Sequence, residues 1–286
     1  MIEIDIGPNL VAFGSFVLSW HGLFSFIAVA TAVFLVGRWA PLRGIHPDDV
    51  YSIATWGIVG GIVGARAVHV IDHWSFYQSN PGQMIAVWNG GIGLWGGILG
   101  GFLAAAGYAL WRKHPVGIIA DLTAPVMLFV QTIGRLGDIV NGEHCAKAWD
   151  FAFGFIWTNP ASDAGRCVNG VGISVQPVIA YEMIWNMLSL LVIWKLRNRL
   201  RPDGMLFALY LALYSLGRFG ITFFREDKIW AFGMQEAQYI ALLVLAITVP
   251  LLLIKARPIP ADEVPNEPIL PIERGTRAER RRRRRG

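Results

Sequence analysis

Seven stretches of the chain are long and apolar enough to cross a lipid bilayer as helices. A helix needs roughly 20 mostly apolar residues to span the hydrocarbon core, and each stretch approaches that length with few charges. The pattern therefore predicts an all-α fold, a polytopic membrane protein of about seven transmembrane helices. The predicted spans lie near residues 11–37, 51–71, 84–111, 117–140, 177–196, 205–224 and 237–256.

The composition agrees with this pattern and argues against a soluble protein. Charged residues make up only 16% of the 286 residues, whereas soluble domains carry about a quarter. Glycine is frequent in membrane helices, and the chain has 32. Gly60 and Gly64 on the second span, and Gly93, Gly97 and Gly101 on the third, are spaced four apart, which predicts close packing between helices.

The distribution of basic residues predicts the orientation of the spans. Lys and Arg are concentrated in alternate connections, at 38–43, 112–113, 197–201 and after 256, and are sparse in the others. Because basic loops stay in the cytoplasm, we expect the N-terminus outside and the C-terminus in the cytoplasm.

The chain divides by composition into two parts. We expect residues 1–256 to form the transmembrane domain, with an outer loop over 141–176. Residues 257–286 are Pro-rich and polar and contain six consecutive arginines at 280–285, so we expect a disordered basic cytoplasmic tail. Such a tail either attracts anionic lipids or serves only to fix the topology, and we expect no nucleic-acid partner.

The two cysteines of the chain, Cys145 and Cys167, both fall in the predicted outer loop. Because the outer compartment is oxidising, a disulfide between them is one interpretation. Two unpaired thiols are the other.

Ionisable side chains within the predicted spans are candidates for function, because burying them in lipid is costly. Six of them fall toward the outer ends of their helices, so separate helices deliver charge to one depth. Asp121 lies toward the cytoplasm, and His21 lies on the first span. The six are Arg66, Arg135, Asp138, Glu182, Arg218 and Arg225.

This set has more guanidinium groups than carboxylates, four against two. An unpaired guanidinium in this setting needs an anion, and the planar fork suits the oxygens of a phosphate. The alternative is a structural network of ion pairs between helices.

Several motifs resemble those of the prolipoprotein diacylglyceryl transferases and run in the family's order. Gly134–Glu143 reads GRLGDIVNGE, which resembles the family signature G-R-x-G-N-F-x-N-x-E. The other matching stretches are WHGL at 20–23, GAR at 64–66, DLTAP at 121–125, QP with YE at 176–182, and an Arg with FFR at 218–225.

The resemblance implies an enzyme of the bacterial inner membrane. The histidines and carboxylates lack the spacing of metal ligands, so we expect no metal and no cofactor. Such an enzyme transfers the sn-1,2-diacylglyceryl group of phosphatidylglycerol to the lipobox cysteine at a lipoprotein precursor's signal peptide. By match to the motifs, the catalytic residues are Arg135, Arg218, Glu143 and His21. The substrate-binding residues are Arg66, Asp138, Asn141, Arg225, Glu182, Gly96 and Gly97.

The chain departs from the family pattern in four places. One is the Gly that usually follows a few residues after the signature Glu, where this chain reads HCAK at 144–147. The third-span His that is often assigned as the base is Trp95 here, and Trp cannot accept a proton. The signature Asn is Asp138, and a sixth-span Glu is Thr222. His21, where the family usually has Tyr, and His144 are possible substitute bases.

Three functional hypotheses follow. The first is an active transferase with a relocated proton acceptor. The second is a paralogue that binds a phospholipid or a lipoprotein without this transfer, and the third is a transporter or channel. The gathering of charge at one depth argues against the third, because a transport pathway needs polar groups across the bilayer.

Overall fold

The computed structural model describes residues 1–13, 16–87, 90–91 and 93–260. Over these residues the chain is mostly helical, and seven of the helices are long and apolar enough to cross a membrane. The all-α prediction is confirmed. The helices are α1 Trp20–Trp39, α2 Pro47–Asp72, α3 Trp74–Tyr77, α4 Leu94–Trp111, α5 Val116–Asn141, α6 Val178–Leu196, α7 Met205–Thr222 and α8 Glu236–Lys255.

Short strands accompany the helices as four two-stranded pairs. Ile2–Ile4 (β1) pairs in parallel with Phe155–Trp157 (β4). The other three pairs are antiparallel. They join Asn9–Phe13 (β2) to Phe16–Ser19 (β3), Leu200–Arg201 (β5) to Arg257–Pro258 (β8), and Ile229–Ala231 (β6) to Met234–Gln235 (β7).

Two of the predicted spans began too early. Residues 9–19 contribute β2 and β3, and α1 begins only at Trp20. Val and Phe, which favour strands, recur in this stretch, and a hydropathy window does not distinguish an apolar strand from a helix. The span predicted from residue 84 also begins late, at Leu94, because Gly90 and Gly91 have φ of 78° and 77°, which helical residues do not adopt.

The chain forms two compact units. Among the described residues, the first unit contains Met1–Leu35 and residues 120–260. Within it, α7 packs against α6 and α8, and one core cluster joins α5, α6 and α7 through Leu128, Ile193 and Tyr210.

Asp121 caps α7 inside the first unit. Its carboxylate oxygens accept hydrogen bonds from the backbone N–H groups of Gly204, at 2.8 Å, and Phe207, at 3.0 Å. A carboxylate at a helix N-terminus satisfies unpaired donors and complements the helix dipole. The one ionisable residue expected toward the cytoplasm therefore has a structural role.

The second unit, Val36–Ile119, is built on a glycine contact between α2 and α4. A Cβ on Gly64 would lie 2.3 Å from the carbonyl oxygen of Gly96, and one on Gly60 would lie 2.7 Å from that of Gly100. The predicted close packing is confirmed. On α4 the tightest positions are Gly96 and Gly100, one residue away from the predicted set.

The connection from α5 to α6 is held by a disulfide bond between Cys145 and Cys167, whose Cα atoms are 5.2 Å apart. This confirms the disulfide interpretation over two unpaired thiols. The predicted tail falls mostly outside the described residues, which end at residue 260.

Candidate functional site

Arg135 and Arg218 meet at one buried carboxylate in the first unit. Glu182, in the first turns of α6, is 6% exposed. Nη2 of Arg135, near the end of α5, lies 2.5 Å from its Oε2, and Nη1 of Arg218, near the end of α7, contacts its Oε1. Three helices thus bring ionisable groups to one place, as the common depth predicts.

Arg225 approaches the same carboxylate from just beyond α7. Its Nη1 lies 3.9 Å from Oε1 of Glu182, while Nε and Nη2 donate to Asp227 at 2.7 and 3.2 Å. Nη1 is buried and has no hydrogen-bond partner among the described residues. A buried donor without a partner is costly, so this atom is suited to receive an oxygen of a ligand.

The backbone around Arg225 is fixed by the connection from α5 to α6. Ala146 forms a β-bridge with Arg225, and Glu226 N donates to the carbonyl oxygen of Cys145 at 3.2 Å. On the other side, the side chain of Gln235 donates to the Arg225 carbonyl oxygen at 2.9 Å. The disulfide-bonded loop therefore holds the third arginine in place.

Asp138 is the centre of a second group of contacts, one turn beyond Arg135 on α5. Its Oδ1 lies 2.7 Å from Nδ1 of His21, and its Oδ2 lies 2.6 Å from Nη1 of Arg135 and 3.0 Å from Nε2 of His144. Asp138 is 4% exposed. Its carboxylate joins α1, α5 and the connection from α5 to α6 in one polar network.

Two glycines make this network possible. A Cβ on Gly137 would lie 2.7 Å from the Cα of His21, so only glycine lets the start of α1 come this close to α5. Gly142, with φ of 73°, ends α5 in the left-handed conformation that closes many helices. Two glycines of the signature stretch, Gly137 and Gly142, are therefore explained by packing and by a helix end, whereas Gly134 has open space around it.

Asn141 and Glu143 complete the end of α5. The Asn141 side-chain amide donates to Oε1 of Glu143 at 2.8 Å, and Oε2 of Glu143 lies 3.2 Å from Nδ1 of His21. The ligand atoms of His21, Asp138 and Glu143 lie within 4.8 Å of one another, close enough to share a metal ion. Hydrogen bonding at Nδ1 of His21 accounts for this spacing.

The charge balance of the site differs from the prediction. The sequence indicated four arginines against two carboxylates, but in the first unit three arginines face four carboxylates, those of Asp138, Glu143, Glu182 and Asp227. The expectation of an unpaired basic cluster is wrong. Each guanidinium already contacts a carboxylate, and the capacity for an added anion lies in the partly exposed side chains of Arg135 and Arg218 and in Nη1 of Arg225.

Arg66 lies in the second unit and is occupied by the backbone there. Its guanidinium donates four hydrogen bonds of 2.6 to 2.9 Å to carbonyl oxygens, and it lies 5.3 Å from the ring of Tyr77. This arrangement fixes the segment before α4. The accepting residues are Gln83, Met84, Gly90 and Gly91.

Gly96 and Gly97, which the motifs predicted to bind substrate, also have packing contacts within the second unit. Gly96 is in the contact with Gly64, and a Cβ on Gly97 would lie 3.5 Å from that of Ala65. Trp95 is 44% exposed. An apolar groove of about 530 Å³ runs along α2 and includes Ile62, Val70 and Ile85, so its lining matches hydrocarbon more than a charged headgroup.

Sequence reasoning missed two functional candidates in this site. Asp227 lies in the connection after α7, where an acidic residue looks like ordinary loop composition, yet it binds Arg225. Gly137 was part of the motif, but its contact with residue 21 joins positions far apart in the chain. The one signal in the sequence was for Asp227, which lies two residues after the predicted site residue Arg225.

The fold and the site together define a multi-pass membrane protein with a buried, charged centre at one end of its helices. Residues 8–254 match the family model described as prolipoprotein diacylglyceryl transferase. The chain belongs to this family, which confirms the resemblance read from its motifs.

Relatives named phosphatidylglycerol–prolipoprotein diacylglyceryl transferase align along most of the chain. The relative from Dehalococcoides mccartyi is 34% identical over 260 residues, which are 90% of this chain and 96% of the relative. The relative from Symbiobacterium thermophilum is 33% identical, over 85% of this chain and 90% of its own length. That from Nostoc sp. is 34% identical, over 91% and 94%.

Proposed function

We propose that this protein transfers the diacylglyceryl group of phosphatidylglycerol to the lipobox cysteine of lipoprotein precursors. The observation that carries the proposal is the meeting of three guanidinium groups around Glu182 at one end of the membrane helices. Membership of the family supports the same reaction. Of the three hypotheses left open by the sequence, the names of the relatives favour the active transferase.

The phosphate of the lipid headgroup is the natural ligand of these arginines. When the bond between the diacylglyceryl carbon and the phosphate oxygen breaks, glycerol phosphate leaves with one more negative charge than the phosphodiester carried. Arg135 and Arg218 stabilise that charge, because fixed donors in a site shielded from water act strongly on developing charge. Nη1 of Arg225, which lacks a partner among the described residues, gives a further donor.

Glu182 has a clear role in this scheme. It keeps three arginines close together in the absence of lipid, where their mutual repulsion would otherwise drive them apart. An arriving phosphate then shares the guanidinium groups with a carboxylate that is already in place. Asn141 and Glu143 shape the neighbouring wall through their hydrogen bond.

Substrate-binding roles for Arg66, Gly96 and Gly97 stay predictions. Arg66 shapes the segment before α4 through its four carbonyl partners, and the glycines let α4 approach α2. Their contribution to the reaction is therefore through the shape of the second unit.

The proposed location is the bacterial inner membrane, with the charged centre toward the outer face. The disulfide in the connection from α5 to α6 supports this orientation, because disulfides persist in oxidising compartments. The N-terminus is then outside, residues 1–256 form the transmembrane domain, and the basic residues after 257 lie where anionic lipids attract them.

The test is transfer of labelled lipid by the purified protein. Vesicles containing phosphatidylglycerol labelled in its acyl chains are incubated with a lipobox peptide, and the peptide is analysed for an added diacylglyceryl group. We expect transfer by the wild type and its loss in Arg135→Ala and Arg218→Ala, at 10²-fold or more, because removing one donor to developing charge costs about 10²–10³ in rate.

The matched control is Arg166→Ala, which removes an arginine from the connection between α5 and α6. The Arg166 side chain is 84% exposed and pairs only with Asp163 among the described residues, so activity should stay at the wild-type level. Absence of transfer by the wild type, while bound phosphatidylglycerol is detected, would refute the proposal.

A further inference from the structure

The proposed reaction needs a proton acceptor that the usual family position does not provide. The lipobox thiol has a pKa of about 8.5 when free, and its thiolate is the nucleophile. Residue 95 is a tryptophan, whose indole N–H only donates. The acceptor must therefore lie among other groups of the site.

His21 has the geometry of a base held by a carboxylate. Its Nδ1 lies 2.7 Å from Oδ1 of Asp138 and 3.2 Å from Oε2 of Glu143. Carboxylate oxygens only accept, so the ring donates from Nδ1. In the neutral ring the lone pair is then on Nε2.

His21 is also open enough to meet a substrate. Its side chain is 42% exposed, although the aspartate that holds it is buried. A buried carboxylate behind an accessible imidazole fixes the tautomer of the ring and stabilises the imidazolium that forms when a proton arrives.

His144 is less suited to the same task. Its Nε2 lies 2.5 Å from Nη1 of Arg135 and 3.0 Å from Oδ2 of Asp138, so this nitrogen is already engaged whichever tautomer is present. Its side chain is 17% exposed. The contacts fit a residue that orders Arg135 and Asp138.

Backbone packing places His21 beside Asp138. Gly137 precedes Asp138 and leaves room for the backbone of His21 at the start of α1. Trp20 N donates to the carbonyl oxygen of Pro8 at 3.0 Å, which fixes the entry to that helix. The relation between the two residues is therefore set by backbone packing.

We propose that His21 is the proton acceptor for the substrate thiol and that Asp138 is its positioning residue. The inference rests on the proposed function. Nε2 of His21 takes the proton of the cysteine S–H, and the thiolate attacks the diacylglyceryl carbon of phosphatidylglycerol. The S–C bond forms as the C–O bond to phosphate breaks, and the oxygen leaves with the bonding electrons as glycerol phosphate. The imidazolium then returns its proton to the leaving phosphate or to water.

The first test is His21→Gln, which keeps a side chain that hydrogen-bonds but cannot act as a base near neutral pH. We expect kcat to fall by about 10²–10⁴, the usual contribution of general base catalysis, while KM for phosphatidylglycerol stays within about threefold. Asp138→Asn, whose amide oxygen still accepts from Nδ1–H, should lower kcat in the same direction.

Two readouts separate a base from a merely structural residue. In His21→Gln the rate should keep rising with pH toward about 8.5, because the thiol then ionises without help. In His21→Ala, added imidazole should restore part of the rate, since the lost side chain was accessible. The charged groups that face this ring are Asp138, Glu143 and Arg135, and they are unchanged in both variants.

The control is His73→Gln, which removes an exposed histidine of the second unit and should leave the rate unchanged. If the wild type transfers lipid while His21→Gln keeps more than a third of kcat and the same pH profile, the assignment of His21 is wrong and the proposed function stands. If the pH-dependent loss appears in His144→Gln and the imidazole rescue in His144→Ala, and neither appears in the variants of His21, the base is His144. If the wild type transfers nothing, the proposed function itself fails.

Discussion

Replacing Glu182 by Gln tests whether one carboxylate holds the arginines of the site together. The change keeps the size of the side chain and removes its negative charge. Arg135 would retain Asp138 and Arg225 would retain Asp227, but Glu182 is the carboxylate that the described residues offer to Arg218. The variant therefore leaves one partly buried guanidinium, that of Arg218, without a carboxylate partner among the described residues.

The expected loss of unfolding free energy follows from the number of arginines that keep a carboxylate partner. Breaking a buried ion pair by removing one member costs about 3–5 kcal/mol. Because two of the three arginines keep a carboxylate, we expect the lower end, about 3 kcal/mol of unfolding free energy. The partial exposure of the Arg218 side chain, 21%, points the same way.

The assay is unfolding of the purified protein in bilayers of phosphatidylcholine alone and with phosphatidylglycerol. In phosphatidylcholine, Glu182→Gln should lose about 3 kcal/mol relative to wild type. In phosphatidylglycerol the difference from wild type should shrink, because a bound phosphate replaces the missing charge in the variant. Lipid at a hundred times Kd adds about 2.7 kcal/mol to any form that binds it, so the difference shrinks by as much as the variant binds the lipid more tightly than the wild type does.

The matched control is Asp163→Asn, which breaks an exposed pair with Arg166 and should cost no more than about 1 kcal/mol. A loss in Glu182→Gln as small as in this control would refute the idea that Glu182 balances the cluster. A full loss that phosphatidylglycerol does not reduce would refute the idea that phosphate binds there.

Three further changes have expected outcomes that thermal unfolding and transfer assays can measure. Gly137→Ala should lower stability by about 1–3 kcal/mol and lower kcat, since its Cβ would meet the His21 backbone, whereas Gly134→Ala, with open space around it, should not destabilise. Gly64→Ala should destabilise the α2–α4 contact by a similar amount, and equal stability of both variants with wild type would contradict the packing described. Removing the disulfide by a double Ser substitution should cost about 3 kcal/mol, with no effect of reducing agent on the variant.

Hydropathy located the last four spans to within about two residues, because long apolar runs with charged flanks mark helix ends clearly. The span predicted at 117–140 is Val116–Asn141, and that at 237–256 is Glu236–Lys255. The helices of the first and third spans begin later than predicted. The residues before them are β-prone or include paired glycines, and they are apolar as well. A hydropathy window does not detect backbone conformation.

The meeting of charged residues from separate helices could be predicted, and their charge balance could not. Intramembrane charge is costly, so the positions of Arg135, Glu182 and Arg218 already indicated a common place. Which carboxylate each guanidinium contacts depends on side-chain direction across helices that are distant in sequence. The sharing of Glu182 by several arginines, and the pairing of Arg225 with a loop aspartate, needed the three-dimensional structure.

The β-bridge between Ala146 and Arg225 has a consequence for how the protein matures. The bridge lies beside Cys145, so the bond that fastens the loop also secures the backbone from which this arginine extends. A freshly inserted chain with reduced cysteines would possess every side chain of the centre but only a loosely tethered third cation. The fraction of molecules with all three guanidinium groups in place would then depend on whether the loop has been oxidised.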